Sequence, residues 1–134
     1  IWAYEGDGAV QDGMDPASVE TFWGIGEYLE KYGPRMDRVG GPYGAYLFGV
    51  DTPRPVVFAE RSLEPAAAKL PYHRYRVTGQ ELPPEWRIET GRVVPAVGGR
   101  GGGRQVLFRD AGKGLLSVEE LLETGLLEEV RERA

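Results

Sequence analysis

The sequence predicts a single α+β domain with an N-terminal helix, a mostly antiparallel sheet of short strands and a C-terminal helix. Its 134 residues are a typical length for one domain with one hydrophobic core. Its 20 glycines indicate several tight turns or close backbone approaches. Apolar residues recur at helical spacing near both ends, whereas polar and apolar residues alternate in the middle. We expect residues 1–34 to form an irregular segment and a helix packing on the core, and residues 35–134 to form the functional domain.

The first helix is predicted to follow an irregular lead-in over residues 1–14. Asp15 suits an N-cap, and Pro16 suits the first helical position, where its missing N–H costs nothing. Gly33, followed by a proline, is expected to end the helix. The positions that give this helix its apolar face are Val19, Phe22, Trp23 and Gly26.

The middle of the chain is predicted to form short strands. The alternation over residues 72–78 predicts a strand with His73, Tyr75 and Val77 on one face. The other expected elements, in order, are a turn-rich stretch over 35–48 ending in a strand at about 44–48, an extended piece at 56–58, a helical turn at 66–68, two short strands within 86–97 around Thr90 and Gly91, a loop at 98–103, a strand at 104–108 and a turn at 110–114.

The C-terminal helix has the clearest local signal. Ser117 suits an N-cap, and Glu120 three residues later completes a capping box. Leu121 and Leu122 give the buried face, and Gly125 is expected to end the helix. The charged residues 128–134 are predicted to form a frayed tail.

The composition excludes several classes of protein. A net charge of −5 disfavours non-specific binding to nucleic acid. The lack of cysteine rules out disulfides, zinc-thiolate sites and cysteine nucleophiles, and the single histidine rules out metal sites built on several histidines. No apolar run approaches the roughly 18 residues of a membrane span. Because the chain begins at Ile1 and not methionine, we expect it to be a piece of a longer protein.

The glycine cluster at residues 98–103 is the most conspicuous candidate for a ligand site. It lacks the Gly-Lys-Ser/Thr ending of a phosphate-binding loop, and it precedes a strand where a dinucleotide fingerprint would precede a helix. Two interpretations stay open on these grounds. The cluster is either a flexible loop or a place where backbone approaches a ligand, with Gln105 projecting from the strand that follows.

Four segments carry a further signal through their order and spacing. They are Asp37-Arg38-Val39-Gly40 continued to Leu47, Arg61-Ser62-Leu63-Glu64-Pro65, Tyr72-His73-Arg74-Tyr75-Arg76-Val77, and Pro95 to Gly98 followed by Gly101-Gly102-Gly103-Arg104-Gln105-Val106. Over residues 35–130 this pattern resembles the tuberculosis necrotizing toxin family of NAD⁺ glycohydrolase domains. Val97 and Val106 depart from it, because the family has aromatic residues at these two positions.

The resemblance implies a reaction and a set of site residues. The reaction is hydrolysis of NAD⁺, and of NADP⁺, to nicotinamide and ADP-ribose or its phosphate, with no metal ion and no cofactor. By position in the family pattern, the residues implied to be catalytic are Gln105, Arg38 and His73, and those implied to bind substrate are Tyr46, Arg61, Gly102 and Gly103.

The resemblance also implies a biological setting, and two alternative functions remain open. The chain is expected to be a domain of a larger secreted toxin that acts in the cytosol of a target cell, and to have a cognate immunity protein. The implied set of residues is chemically sufficient for this hydrolysis, because nicotinamide leaves as a neutral molecule and needs no general acid. The alternatives are an ADP-ribosyltransferase toxin and a non-catalytic nucleotide-binding module of a secreted protein.

Overall fold

The computed structural model describes residues 12–50, 58–63, 66, 69–96 and 99–131. These residues form one seven-stranded antiparallel sheet in the order β1-β5-β6-β3-β2-β4-β7. The strands are β1 Glu20–Phe22, β2 Arg35–Val39, β3 Leu47–Gly49, β4 Tyr72–Val77, β5 Arg87–Arg92, β6 Arg104–Arg109 and β7 Leu127–Val130. The helices are α1 Ile25–Tyr32 and α2 Val118–Glu123, with 3-10 turns at Pro16–Ser18 and Phe58–Arg61. The predicted α+β domain with a mostly antiparallel sheet is confirmed.

One face of the sheet carries the hydrophobic core. Tyr28 of α1 and Leu121 of α2 are fully buried against it. The core side chains supplied by the strands are Met36, Leu47, Tyr75, Val77, Ile88, Val106 and Phe108. Neither described helix is both long and apolar enough to cross a membrane. The elements on either side of residue 34 share this one sheet and core, so β1 and α1 are integral to it.

The opposite face of the sheet holds a row of three side chains from neighbouring strands. Asp37 pairs with Phe48, and Phe48 pairs with Gln105, in the registers of β2, β3 and β6. Residues directly opposite each other in antiparallel strands point to the same face. All three side chains are buried, under the turn at 58–63 and the chain around residues 12–14.

The first helix begins later than predicted. Asp15 does act as a cap, accepting a hydrogen bond from the Ala17 amide at 3.0 Å, but it caps only a 3-10 turn. The chain then extends and adds β1 to the edge of β5, and α1 starts after Gly24. Pairing with an open sheet edge therefore overrides the local helical signal. Gly33 ends α1 as expected, with φ at +77°.

Two predictions in the middle of the chain are wrong. The turn-rich stretch predicted over 35–48 begins instead with β2, a strand between β3 and β4 whose Met36 and Asp37 are buried although its sequence is mostly polar. The expected break at Thr90 and Gly91 is absent, and β5 is continuous. Gly91 is there because a Cβ would come within 3.1 Å of Ser18 Oγ and 3.2 Å of Met14 Sδ.

Several other elements agree with expectation. The strands at 72–78 and 104–108, the turn at 110–114 and the capping box of Ser117 and Glu120 are confirmed. The tail is not frayed at residues 128–130, which pair with β4 as part of β7. The pieces expected at residues 56–57 and 67–68 lie outside the described residues, as do residues 132–134.

Candidate functional site

Two adjoining cavities open on the face of the sheet opposite the core. The larger is about 420 Å³ and the smaller about 150 Å³, and Tyr46, Phe48 and Leu63 line both. We call the larger the outer compartment, whose other lining residues are Arg38, Val39, Ala66 and Leu70. We call the smaller the inner compartment, whose other lining residues are Asp12, Gly13, Arg61, Ser62, Val93 and Gln105. Together they form a cleft that contains four of the predicted site residues.

Gln105 lines the inner compartment from β6 and is 6% exposed. Its Nε2 donates a hydrogen bond to the backbone carbonyl of Asp12 at 2.7 Å. Its own backbone carbonyl accepts one from the Thr90 hydroxyl at 2.7 Å. Within the described part of the chain no donor contacts the side-chain Oε1 of Gln105, so this acceptor is left for a bound molecule.

Arg61 lines the inner compartment, and its positive charge is paired with the carboxylate of Asp37. Its Nη1 and Nη2 donate to the two carboxylate oxygens of Asp37 at 2.7 and 2.9 Å, and both side chains are buried. The guanidinium also lies 4.9 Å from the ring centre of Phe48. The expectation that Arg61 neutralises a substrate phosphate must therefore allow for Asp37, which occupies its fork.

Tyr72 on β4, itself 45% exposed, contacts this buried pair. Its hydroxyl donates to Asp37 Oδ2 at 2.8 Å. Burial, together with the hydrogen bond to Asp37 and the charge of Asp37, raises the pKa of Tyr72 to about 12. The phenol therefore stays protonated at physiological pH and supports the Asp37 carboxylate.

Arg38 at the end of β2 presents a different kind of charge. Its Nε donates to the Gly41 carbonyl at 2.7 Å, and its Nη1 donates to the Tyr46 carbonyl at 2.9 Å. No carboxylate of the described residues forms an ion pair with it, and its partial burial lowers the pKa of the guanidinium. Arg38 is thus a cation at the outer compartment whose hydrogen-bond partners in the described part of the chain are neutral carbonyls.

Glycines make the space that Arg38 occupies. A Cβ on Gly44 would lie 2.1 Å from Arg38 Nη2, and one on Gly40 would lie 3.2 Å from the same atom. Gly40 also has φ at +120°, a conformation that other residues rarely adopt. The glycines of the family pattern at 40–44 therefore form a cradle for this arginine.

Tyr46 lies at the junction of the two compartments and is 40% exposed. Burial raises the pKa of its phenol, and the nearby Asp12 carboxylate raises it further, against a lowering effect of Arg109. Tyr46 therefore offers a neutral hydroxyl and an accessible ring to whatever the cleft binds.

The backbone amides of the glycine-rich loop form hydrogen bonds within the protein. The amides of Gly101 and Gly103 donate to the carbonyls of Ala59 and Glu60 at 3.1 and 2.9 Å, and the Gly102 amide donates to the Val93 carbonyl at 2.8 Å. These donors are therefore used within the fold, and neither Gly102 nor Gly103 lines the cleft. The glycines allow close packing on the turn that carries Arg61, and a substrate-binding role for Gly102 and Gly103 stays a prediction.

His73 is a cross-strand neighbour of Arg38 but does not line the cleft. It is opposite Arg38 in the β2–β4 register, but its Nδ1 lies 3.0 Å from Glu129 Oε2 on β7. It lines a separate surface depression and neither compartment of the cleft. A catalytic role for His73 stays a prediction. Among the described residues, no three acidic or histidine side chains come together in a group that could hold a metal ion.

Sequence reasoning missed two contributors to the cleft. Phe48 was expected only as a strand residue, yet it lines both compartments. Asp12 was placed in an irregular lead-in, yet it contacts Gln105, which is 93 residues further along the chain. A local pattern carries no signal for a contact of that separation.

The fold and the cleft describe a small α+β domain with a two-compartment cleft on one face of its sheet. Comparison with known proteins then gives the family. The profile of the tuberculosis necrotizing toxin family matches residues 31–130, and the chain belongs to that family.

Curated relatives and a solved structure agree with this assignment. The chain is 34% identical over 116 residues to the outer membrane channel protein CpnT of Mycobacterium bovis (strain BCG / Pasteur 1173P2), and equally to that of Mycobacterium tuberculosis (strain ATCC 25618 / H37Rv). The match covers 87% of this chain but 14% of those relatives, so the chain spans a small part of their length. It also resembles the structure of tuberculosis necrotizing toxin complexed with its immunity factor IFT, with a TM-score of 0.82 and 33% identity, covering 90% of this chain and 59% of that one.

Proposed function

We propose that this domain hydrolyses the bond between nicotinamide and ribose in NAD⁺, and also in NADP⁺. The observation that supports this most directly is the pairing of two groups in one cleft. Arg38 brings a cation that pairs with no carboxylate of the described residues to the outer compartment, and Gln105 brings an acceptor that no described donor contacts to the inner compartment.

Arg38 supplies affinity for the pyrophosphate in this proposal. Its guanidinium is partly desolvated, and among the described residues it donates to the Gly41 and Tyr46 carbonyls, so a phosphate oxygen gains a charge-assisted hydrogen bond there. Tyr46, between the compartments, supplies an aromatic surface and a hydroxyl to the ribose or base. The buried pair of Arg61 and Asp37 ties the turn at 58–61 to β2 beside the inner compartment.

Gln105 acts at the reacting carbon in this proposal. As the glycosidic bond breaks, its electron pair leaves with the nicotinamide ring nitrogen, which becomes neutral, and positive charge develops on the ribose. The Oε1 dipole of Gln105 stabilises that charge and orients a water molecule. The water oxygen then bonds to the anomeric carbon and its proton passes to solvent. In the reaction as written, water is the only co-substrate of NAD⁺, and neither a metal ion nor a cofactor takes part.

The direct test is nicotinamide release from NAD⁺ by the purified domain in EDTA. Gln105→Ala should lower kcat by roughly 100- to 1,000-fold, as expected for loss of a preorganised polar group. Gln80→Ala is the matched control, because Gln80 is an exposed glutamine that donates to the Thr124 carbonyl far from the cleft. A folded wild-type protein that leaves NAD⁺ intact would overturn the proposal.

The same assay separates the rival activities. An ADP-ribosyltransferase needs an acceptor for sustained turnover, whereas a glycohydrolase releases nicotinamide and free ADP-ribose from NAD⁺ alone. A non-catalytic nucleotide-binding module would bind NAD⁺ and release nothing.

We also propose that the domain acts as part of a larger secreted toxin in the cytosol of a target cell, and that a cognate immunity protein covers the cleft. Support comes from the length of the relatives and from the toxin–immunity factor complex among similar structures. Expression of the domain should deplete cellular NAD⁺, and the Gln105→Ala variant should not. Depletion by both variants alike would count against an enzymatic toxin.

A further inference from the structure

We propose that Arg109 and the backbone carbonyl of Asp12 are positioning groups that orient the Gln105 amide, so that its Oε1 and not its NH₂ faces the cleft. This inference rests on the proposed function. It assigns a task to Asp12, which lies before position 31, where the family match begins.

The orientation of the amide follows from its partner. The Asp12 carbonyl lies 2.7 Å from the Gln105 side chain and has no proton to donate. The atom that faces it must therefore be the NH₂ group. In this proposal Oε1, at the other end of the amide, faces the space that Gln105 and Asp12 both line in the inner compartment.

An ion pair fixes Asp12 in this place. The Asp12 carboxylate accepts a hydrogen bond from Arg109 Nη2. Arg109 is itself held by Glu89 Oε1, 2.7 Å from its Nε, and by the Lys113 carbonyl, 3.1 Å from its Nη1. Asp12 has φ at +54°, a conformation that needs support in a residue other than glycine.

The backbone after Asp12 is held as well. The Val94 amide donates to the Gly13 carbonyl at 2.9 Å, and the Asp15 amide donates to the Arg92 carbonyl at 2.8 Å. Met14 forms a bridge with Val93 and is fully buried. The position of the Asp12 carbonyl is therefore fixed by two sets of contacts. One is the ion pair of the Asp12 side chain with Arg109, and the other is the backbone pairing of residues 13–15 with residues 92–94.

The consequence for catalysis is electrostatic. A carbonyl dipole with its negative end in the cleft favours a developing positive charge, whereas an NH₂ group there would oppose it. Loss of Arg109 releases Asp12 and lets the Gln105 amide rotate. We expect kcat to fall and KM to change little, because Arg109 does not line the cleft.

The first experiment observes the amide without any activity assay. The chain has three glutamines and no asparagine, so a ¹H–¹⁵N spectrum contains three side-chain NH₂ pairs, and Gln105→Glu identifies one of them. In Arg109→Met, the Gln105 pair should shift toward values of a free amide and exchange faster with solvent. Arg76→Met is the matched control, because it removes an exposed arginine that pairs with Glu128.

The second experiment links the orientation to turnover. Arg109→Met should lower kcat by roughly 10- to 100-fold, as small misplacements of a reacting group do, and Arg109→Lys should recover part of it. In a Gln105→Ala background the same change should cost nothing further. Asp12→Gly gives an independent variant, since it removes the carboxylate and tolerates the positive φ.

Each outcome decides the matter. An unchanged Gln105 resonance in both Arg109→Met and Asp12→Gly overturns the inference, as does an equal loss of kcat with and without Gln105. If Arg109→Met unfolds, Asp12→Gly carries both measurements. An inactive wild-type protein whose Gln105 resonance still depends on Arg109 sinks the proposed function and leaves the positioning contact standing.

Discussion

Arg61 and Asp37 meet in a bidentate ion pair beneath the cleft, with nitrogen–oxygen distances of 2.7 and 2.9 Å and both side chains buried. Asp37 comes from a central strand and Arg61 from the turn that covers it. The pair therefore anchors the cover of the inner compartment to the sheet. It also leaves Arg38 as the cation better placed to meet an anionic ligand.

Arg61→Leu should lower the free energy of unfolding by about 3–5 kcal/mol, because it leaves the buried Asp37 charge without its partner. Chemical denaturation measures this loss. Arg76→Leu breaks an exposed ion pair with Glu128 and should cost less than about 1 kcal/mol. Similar losses in the two variants would show that the burial of the Arg61 pair has no energetic consequence.

Tyr72→Phe should reveal a pH-dependent contribution to stability. The folded pKa of about 12 lies above the ordinary value of 10.0, so the contribution is complete below pH 10 and is lost as pH rises through about 12. At pH 8 the variant should be about 1 kcal/mol less stable than the wild type, for one lost hydrogen bond to Asp37. Unfolding curves at several pH values should show the two proteins converging at high pH, and a constant difference would contradict the assignment.

Gly101→Ala and Gly102→Ala separate two effects of a side chain in the glycine-rich loop. Both residues have positive φ, at +72° and +96°. A Cβ on Gly101 would lie 2.5 Å from the Val93 carbonyl oxygen, whereas one on Gly102 would meet nothing within 4 Å. We expect Gly102→Ala to cost roughly 1–3 kcal/mol from backbone strain and Gly101→Ala to cost more. Thermal unfolding checks the order, and the reverse order would be inconsistent with this packing.

Arg38→Gln should raise KM for NAD⁺ by roughly 10- to 100-fold, because a charge-assisted hydrogen bond to phosphate is lost. Initial rates over a range of NAD⁺ concentrations measure it. Arg35→Gln is a suitable control, since Arg35 is an exposed arginine on the same strand that does not line the cleft. An unchanged KM in the Arg38 variant would remove this arginine from substrate binding.

The local signals in the sequence determined the elements whose stability is local. The capping box of Ser117 and Glu120 and the glycine stop at Gly125 need only neighbouring residues, and all three have the expected geometry. The alternation at 72–78 likewise predicted β4. The family resemblance selected Arg38, Tyr46, Arg61 and Gln105, and the folded chain brings these four to one cleft.

Only the tertiary structure decided what these residues do to one another. The sequence contains no local sign that Asp37 pairs with the guanidinium of Arg61, or that His73 contacts Glu129. It also does not show that two amides of the glycine-rich loop donate to carbonyls of the turn at 58–61. The helical signal at residues 16–23 also yielded to pairing with β5. In each case the deciding contact joins residues far apart in the chain. Such a contact stabilises the fold only after the sheet has brought its two residues together.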